Sequence, residues 1–251
     1  MKLGKHTSVC AIALLAKSNP SLVQTWNTVA AIHSLGRHLK MKDNLLRFDF
    51  NQKYIILDTE TEGLNLLHSR PWQIAWIEAV GKKIISRQER YIYWPDFKIS
   101  EGAAKITGFN YDKYRDLARD PKEVWDEFAP FLEKDSNKII GQNILGFDVY
   151  MLNSWRRAMG LDSNFDYVDR ILDTKALAMA IAKECRSVDC DDLICWQYRW
   201  LNHREKGIKT SQAHLLKHYN IDHDPSLLHG ALYDIEMTFQ IFQKQIYDIE
   251  I

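Results

Sequence analysis

Between residues 53 and 65 the chain reads KYIILDTETEGLN. Tyr54 to Leu57 form an unbroken apolar run. A run without polar alternation is the mark of a strand buried on both faces, in the middle of an α/β sheet. It leads directly into Asp58, Glu60 and Glu62 at alternate positions, followed by Gly63. If the strand continues, Asp58 and Glu60 point to the same side, because side chains alternate with a period of two. Carboxylates crowded this way repel. Either they sit on a solvated turn, or a divalent cation joins them at the carboxyl end of a central strand, where such sheets present ligands. Asp58, Glu60, Glu62 and Gly63 also fit the first half of an EF-hand calcium loop. That reading fails because Ser69 stands where the bidentate glutamate belongs and a β-rich run replaces the entering helix.

Further along, apolar strand patterns are expected at 72–80, 83–93 and 138–140, with a short one before Asp173. Helical patterns are expected at 121–132, 147–159, 174–183, 191–204, 211–219 and 231–247. Two long strands directly after the first predict an antiparallel meander, and the later strand–helix alternation predicts parallel strands. The hydrophobic fraction of 46%, with eight Trp, eleven Tyr and ten Phe, is ample for a packed core. No apolar run approaches the ~20 residues that span a bilayer, so no membrane role is expected.

The formal charge is zero, from 33 basic and 33 acidic residues. It is unevenly distributed: residues 1–50 carry seven Lys/Arg against Asp43 and Asp49, a surplus of +5 that the rest of the chain balances. Asn19-Pro20 reads as a helix cap with proline at the first helical position. Leu22, Trp26, Val29, Ile32 and Leu35 then recur at helical spacing. A basic, helical N-terminal extension of about 50 residues is therefore expected, docked on an acidic domain spanning 51–251. Four cysteines without framework spacing suit thiols in a reducing, cytoplasmic setting. MKLGKHTSVCAIALLAKS, with a lysine-containing start and a short apolar run, fits a weak signal peptide, but no small-x-small cleavage site follows. The absence of acids before Asp43 also suits an organellar presequence, although only one Arg is present, and Met41 is an alternative start.

Two more segments carry chemistry. In IIGQNILGFDVYML, Asp148 enters an otherwise apolar helix, which suits either the helix dipole or a metal. In LLHGALYDIEMTF, His229 precedes Asp234 by five residues at a helix start. Asp58-Thr59-Glu60-Thr61-Glu62-Gly63, Asn143 with Phe147-Asp148, and His229-Gly230-Ala231-Leu232-Tyr233-Asp234 together resemble the three motifs of the DEDDh family. This is the 3′→5′ exonuclease family typified by the epsilon subunit of bacterial DNA polymerase III. ITGF at 106–109, Asp173-Thr174, and Leu215-Leu216 ahead of HYNI agree with it.

The resemblance covers about 51–247. It implies a ribonuclease-H-like α/β fold with a five-stranded mixed sheet flanked by helices. It also implies two Mg²⁺ or Mn²⁺ ions held by Asp58, Glu60, Asp148 and Asp234, with His229 deprotonating the attacking water. Thr59, Thr61, Gly63, Leu64, Thr107 and Asn143 are expected to grip the terminal nucleotide. The implied substrate is single-stranded DNA ahead of RNA, and a DNA polymerase or replisome component is a partner in proofreading. An RNA-trimming enzyme and a non-catalytic, polymerase-accessory binding module are the alternatives. Thr107 replaces a frequent histidine, Glu62-Gly63 a second threonine followed by glycine, and Gln142 another common histidine. The first two of these departures bear on substrate grip, and none of them removes a metal ligand.

Weaker signals point elsewhere. Cys185, Cys190 and Cys195 recur every five residues, which is not a zinc spacing. Trp196, Tyr198 and Trp200 interleave with Arg199, Arg204, Lys206 and Lys209, as a strand-tracking patch would. Trp196 and Trp200 are one helical turn apart, however, and an inward-packing pair is the simpler expectation. Asp173 reads as a helix cap.

Overall fold

The computed structural model describes residues 50–185, 192–228 and 230–249. The basic helical extension, Cys190 and His229 lie outside the described residues. Six strands, β1 (Lys53–Thr61), β2 (Pro71–Val80), β3 (Lys83–Ile92), β4 (Ala118–Arg119), β5 (Lys138–Gly141) and β6 (Ile171–Asp173), form one sheet in the order β4-β3-β2-β1-β5-β6. β1 runs antiparallel to β2 and parallel to β5, and β2–β3 is an antiparallel hairpin. This is the expected mixed α/β sheet with one strand more than expected. The addition is β4, two residues paired parallel to the end of β3, too short to leave an alternation signal.

The helices are α1 (Glu101–Thr107), α2 (Tyr111–Leu117), α3 (Pro121–Glu133), α4 (Asp148–Ala158), α5 (Thr174–Ala182), α6 (Leu193–Asn202), α7 (Gln212–His218) and α8 (Ala231–Asp248). A 3₁₀ turn at Val168–Arg170 leads into β6. Helix α3 starts where Asp120 accepts the N–H groups of Lys122 and Glu123, with Pro121 at the first position. Helices α5 and α6 are capped in the same way by Asp173 and Asp192. The sequence pattern passes over α1 and α2, where Tyr114 of α2 is the one buried side chain among the described residues, so little apolar periodicity marks them. Their caps are nonetheless regular: Ser100 and Asn110 accept at the two N-termini, and Gly108 closes α1 at φ 62°.

β1 is buried on both faces. Ile55 and Leu57 pack with Trp125 and Phe128 of α3 and with Val149, Leu152 and Trp155 of α4. Tyr54 and Ile56 pack with Phe239 and Phe242 of α8 and with Leu177 of α5. The sheet therefore lies between two helical layers. Residues 58 and 60 inherit the α8 face, and residue 59 the α4 face. Trp196 is completely buried and meets the half-buried Trp200 edge-on at 6.4 Å, so Trp196 packs inward while Trp200 keeps part of its surface open. Among the described residues no helix is long and apolar enough to cross a membrane.

Candidate active site

β1 extends through the acids to Thr61, with Asp58 opposite Ala75 and Glu60 opposite Gln73 on β2. Asp58 and Glu60 therefore share the face covered by α8, whose first turn carries Asp234. From the opposite face, Asp148 in the first turn of α4 reaches the same strand end. Its Oδ1 accepts both the backbone N–H of Thr59 (3.1 Å) and the Thr59 hydroxyl (2.7 Å). Both helices offer their N-termini here, where the dipole favours a negative group.

The electrostatics follow from that convergence. Burial, then the charges of Asp148, Glu60 and Asp234, push the Asp58 carboxyl far above the usual carboxylate range. A Thr59 backbone N–H opposes the shift only in part. Burial, then Asp234 and Asp148, raise Glu60 strongly. Asp148 is raised by burial against the two Thr59 hydrogen bonds. Asp58 and Glu60 keep part of their surface open, so solutes can reach a cluster that the surrounding protein desolvates. No ion pair among the described residues offers Asp58, Glu60 or Asp148 a basic side chain.

Among the described residues no three His, Cys, Asp or Glu side chains close into a ready-made metal cage. The charges of Asp148 and Asp234 nonetheless raise both Asp58 and Glu60, so the four lie within electrostatic range. An open set of hard oxygen donors suits a divalent cation that keeps waters and takes a phosphate as a further ligand, as Mg²⁺ does. The donor chemistry fits the ions implied by the motifs.

Glu62, the third acid of the opening run, is not part of the cluster. Arg70 grips it through Nη2 (2.7 Å) and Nε (3.0 Å), while Nη1 of Arg70 holds Asp96 at 2.7 Å. The guanidinium lies 4.8 Å over the Trp94 ring. This clamp closes the 62–70 loop, and Ser69, the residue that spoiled the calcium loop, accepts the Asn65 N–H there.

The residues expected at the substrate fall into different places. The Thr59 hydroxyl is engaged by Asp148. The Thr61 hydroxyl donates to the Gly63 carbonyl at 2.8 Å, and Leu64 next to it is 85% exposed. Thr107 ends α1 with its hydroxyl on the Ala103 carbonyl at 2.9 Å, and no hydrogen bond given by the described residues joins it to the acids. Asn143 sits in the left-handed region at φ 63°. Its N–H donates to Asp173 (3.1 Å), and its Oδ1 accepts from Lys175 (3.0 Å). Gly146 leaves room for that amide, since a Cβ there would lie 2.6 Å from the Asn143 oxygen.

Three supporting residues escape sequence reasoning. Asp173 is more than a cap: besides Lys175 and Ala176 it accepts the N–H groups of Asn143 and Leu145, tying the turn before Asp148 to α5. Gln212 donates to the Asp234 carbonyl at 2.6 Å and to Thr238 at 2.9 Å. Arg70 clamps Glu62. All three act across turns or between helices, and only the cap leaves a local signal. Gln142, at the position of a common histidine, is likewise structural. It donates to the Thr210 carbonyl at 2.7 Å and accepts from Thr174.

Residues 55–242 match the model of the exonuclease family RNase_T. PolC-type DNA polymerase III of Bacillus cereus is 24% identical over 199 residues, which is 79% of this chain and 12% of the relative. The PolC-type enzyme of Caldanaerobacter subterraneus subsp. tengcongensis is 22% identical over 161 residues, 64% of this chain and 11% of the relative. The chain thus spans about a tenth of the polymerases it matches. Among solved structures, a zinc-bound E. coli exonuclease I with single-stranded DNA superposes with a TM-score of 0.61 at 19% identity. The match covers 79% of this chain and 42% of that one. The apo form of exonuclease I gives a TM-score of 0.60. With four acids from three motifs gathered at the end of β1, the chain belongs to the exonuclease family, as a DEDD-type 3′→5′ exonuclease domain of ribonuclease-H-like fold.

Proposed function

We propose that this domain removes nucleotides one at a time from the 3′ end of single-stranded DNA. The observation that carries the reading is the open cluster of Asp58, Glu60, Asp148 and Asp234, within a chain of this family. A binding module gains nothing from acids crowded where phosphates must approach, and this argues against the non-catalytic alternative. The same four residues would hold two Mg²⁺ or Mn²⁺ ions. Such a pair lowers the pKa of an attacking water and neutralises the leaving oxygen.

The protein's own groups then have separate tasks. Thr59 holds Asp148 in one orientation, and Gln212 pins the first turn of α8 that carries Asp234. Leu64, exposed in the loop that follows β1, offers an apolar contact to a terminal base. His229, immediately before the α8 cap Gly230, takes the proton of the attacking water, as the motif resemblance implies. An imidazole is the side chain whose unperturbed pKa lies nearest neutrality, which suits it to that task. The PolC relatives favour proofreading beside a polymerase as the biological setting, with DNA ahead of RNA.

End-labelled single-stranded DNA and RNA, incubated with Mn²⁺, test this reading directly. Single-nucleotide ladders from the 3′ end, faster on DNA, are expected, with no products in excess EDTA. Asp58→Ala should cut turnover by roughly 10²–10³-fold or more, the scale of losing one electrostatic stabiliser of the transition state. Cleavage of circular DNA at a comparable rate, or undiminished cleavage in EDTA, would overturn it.

A further inference from the structure

A second concavity, of about 300 Å³, lies beside the turn that carries Asn143. Its lining combines apolar side chains, among them Trp200 and Ile208, with the cations Lys175, Arg204 and Lys206. Glu205, the acid of the lining, is already engaged: Lys183 holds it at 2.7 Å and the His203 ring faces it at 3.2 Å. Arg204 and Lys206 are exposed, and neither has an ion-pair or hydrogen-bond partner among the described residues.

Hydrogen bonds join this concavity to the candidate active site. Lys175 Nζ, from its wall, donates to Asn143 Oδ1 at 3.0 Å. Thr210, also in the wall, offers its carbonyl to Gln142 at 2.7 Å. Two residues further on, Gln212 donates to the carbonyl of Asp234. One short segment, 203–212, thus runs from the cationic rim to the backbone of a candidate metal ligand.

We propose that this concavity holds a nucleotide of the substrate strand upstream of the two that flank the scissile bond, an inference that rests on the exonuclease reading. Its volume is at the lower end of ligand pockets, about 300 Å³ and upward, which suits one nucleotide unit. Arg204 and Lys206 take the phosphate, and the apolar wall with Trp200 takes the sugar or base. Such contacts position a strand without reading its sequence, as an exonuclease that must process any sequence requires. Cations without protein partners are the groups that gain most from a phosphate, because nothing has to be broken to free them. A released mononucleotide offers the same chemistry, and the test separates the two sources.

The experiment compares the full chain with the double variant Arg204→Ala/Lys206→Ala. Fluorescence anisotropy follows labelled oligothymidylates of two to twelve nucleotides, in EDTA so that no strand is consumed. The wild type is expected to bind more tightly as the strand lengthens. The variant should bind the twelve-mer about ten-fold more weakly and the dinucleotide equally. Its log–log salt dependence should be shallower by about 0.7, the loss of one phosphate contact on a single strand. Among the described residues neither side chain has a partner to lose, and circular dichroism checks that the fold is retained. Unchanged twelve-mer affinity and salt slope overturn the proposal, as does a wild type that shows no length dependence. Weaker binding of thymidine monophosphate with unchanged twelve-mer affinity also overturns it, assigning the cations to released product. Turnover in Mn²⁺ is read separately. Length-dependent binding through Arg204 and Lys206 by a wild type that cleaves nothing removes the catalytic reading and leaves the strand site standing.

Discussion

Thr59 donates its backbone N–H and its hydroxyl to the same oxygen of Asp148, 89 residues away in sequence. The bond crosses from the centre of the sheet to the first turn of α4, and it orients a buried carboxylate that no basic side chain among the described residues neutralises. A residue of this kind acts through the candidate ligand it holds. Thr59→Val keeps the volume and removes the hydroxyl. It should weaken Mn²⁺ binding or activity by about 10–100-fold, the usual scale for such supporting bonds. Thr59→Ser should restore most of the loss. Isothermal titration with Mn²⁺ measures it, and equal affinity in Thr59→Val would leave the hydroxyl without a role.

The raised carboxyls make the metal-free protein sensitive to alkali. Asp58 and Glu60 have folded-state pKa values above their unfolded ones, near 4. The folded state therefore keeps protons that the unfolded state has already released. That favourable contribution is complete below about pH 4 and is lost as pH rises through the folded values. Glu60→Gln removes the titrating group, so in EDTA it should raise Tm at pH 8 and do little at pH 4. Mn²⁺ should stabilise the wild type at pH 8 more than the variant. A melting-temperature difference that does not change with pH would refute the electrostatic account.

His229→Ala leaves the four candidate ligands in place. Metal binding should persist while turnover falls by roughly 10²–10⁴-fold, the range of general-base catalysis. A neutral base is required, so the wild-type rate should rise with pH as His229 deprotonates, and the variant should lose that acidic limb. Near-normal turnover with the same limb would place the proton elsewhere.

Asp173 is completely buried and accepts four backbone N–H groups. Burial holds its carboxyl up near pH 6, even against those four donors. Asp173→Ala leaves the amides of two turns without an acceptor. At roughly 1–3 kcal/mol for a buried unsatisfied group, and about 1 for a helix cap, a loss of about 3 kcal/mol is expected. Urea unfolding at neutral pH measures it. A change below about 0.5 kcal/mol would mean that the turn is held by other contacts.

Much of this protein is legible in one dimension because its signals are local. The apolar run at 54–57 identifies a central strand, and strand alternation alone puts Asp58 and Glu60 on one side. Helical periodicity locates α3 to α8 within a few residues, since each hides one face. The three motifs nominate Asp148 and Asp234 before any contact is known. Tertiary structure decides what local pattern cannot carry. Glu62 has the same spacing as Asp58 and Glu60, but the turn after β1 delivers it to Arg70, so charge alone did not separate a ligand from a loop clamp. Asp173 reads as a cap, and only the approach of β5 to β6 gives it the turn before Asp148 as well. Arg204 and Lys206 belong to a stretch whose cations and aromatics could track a strand, and only the fold sets them around one concavity with Lys175. Alternation and periodicity are properties of a single backbone. Which carboxylate meets another acid, an arginine or a backbone amide depends on chain crossings that packing alone determines.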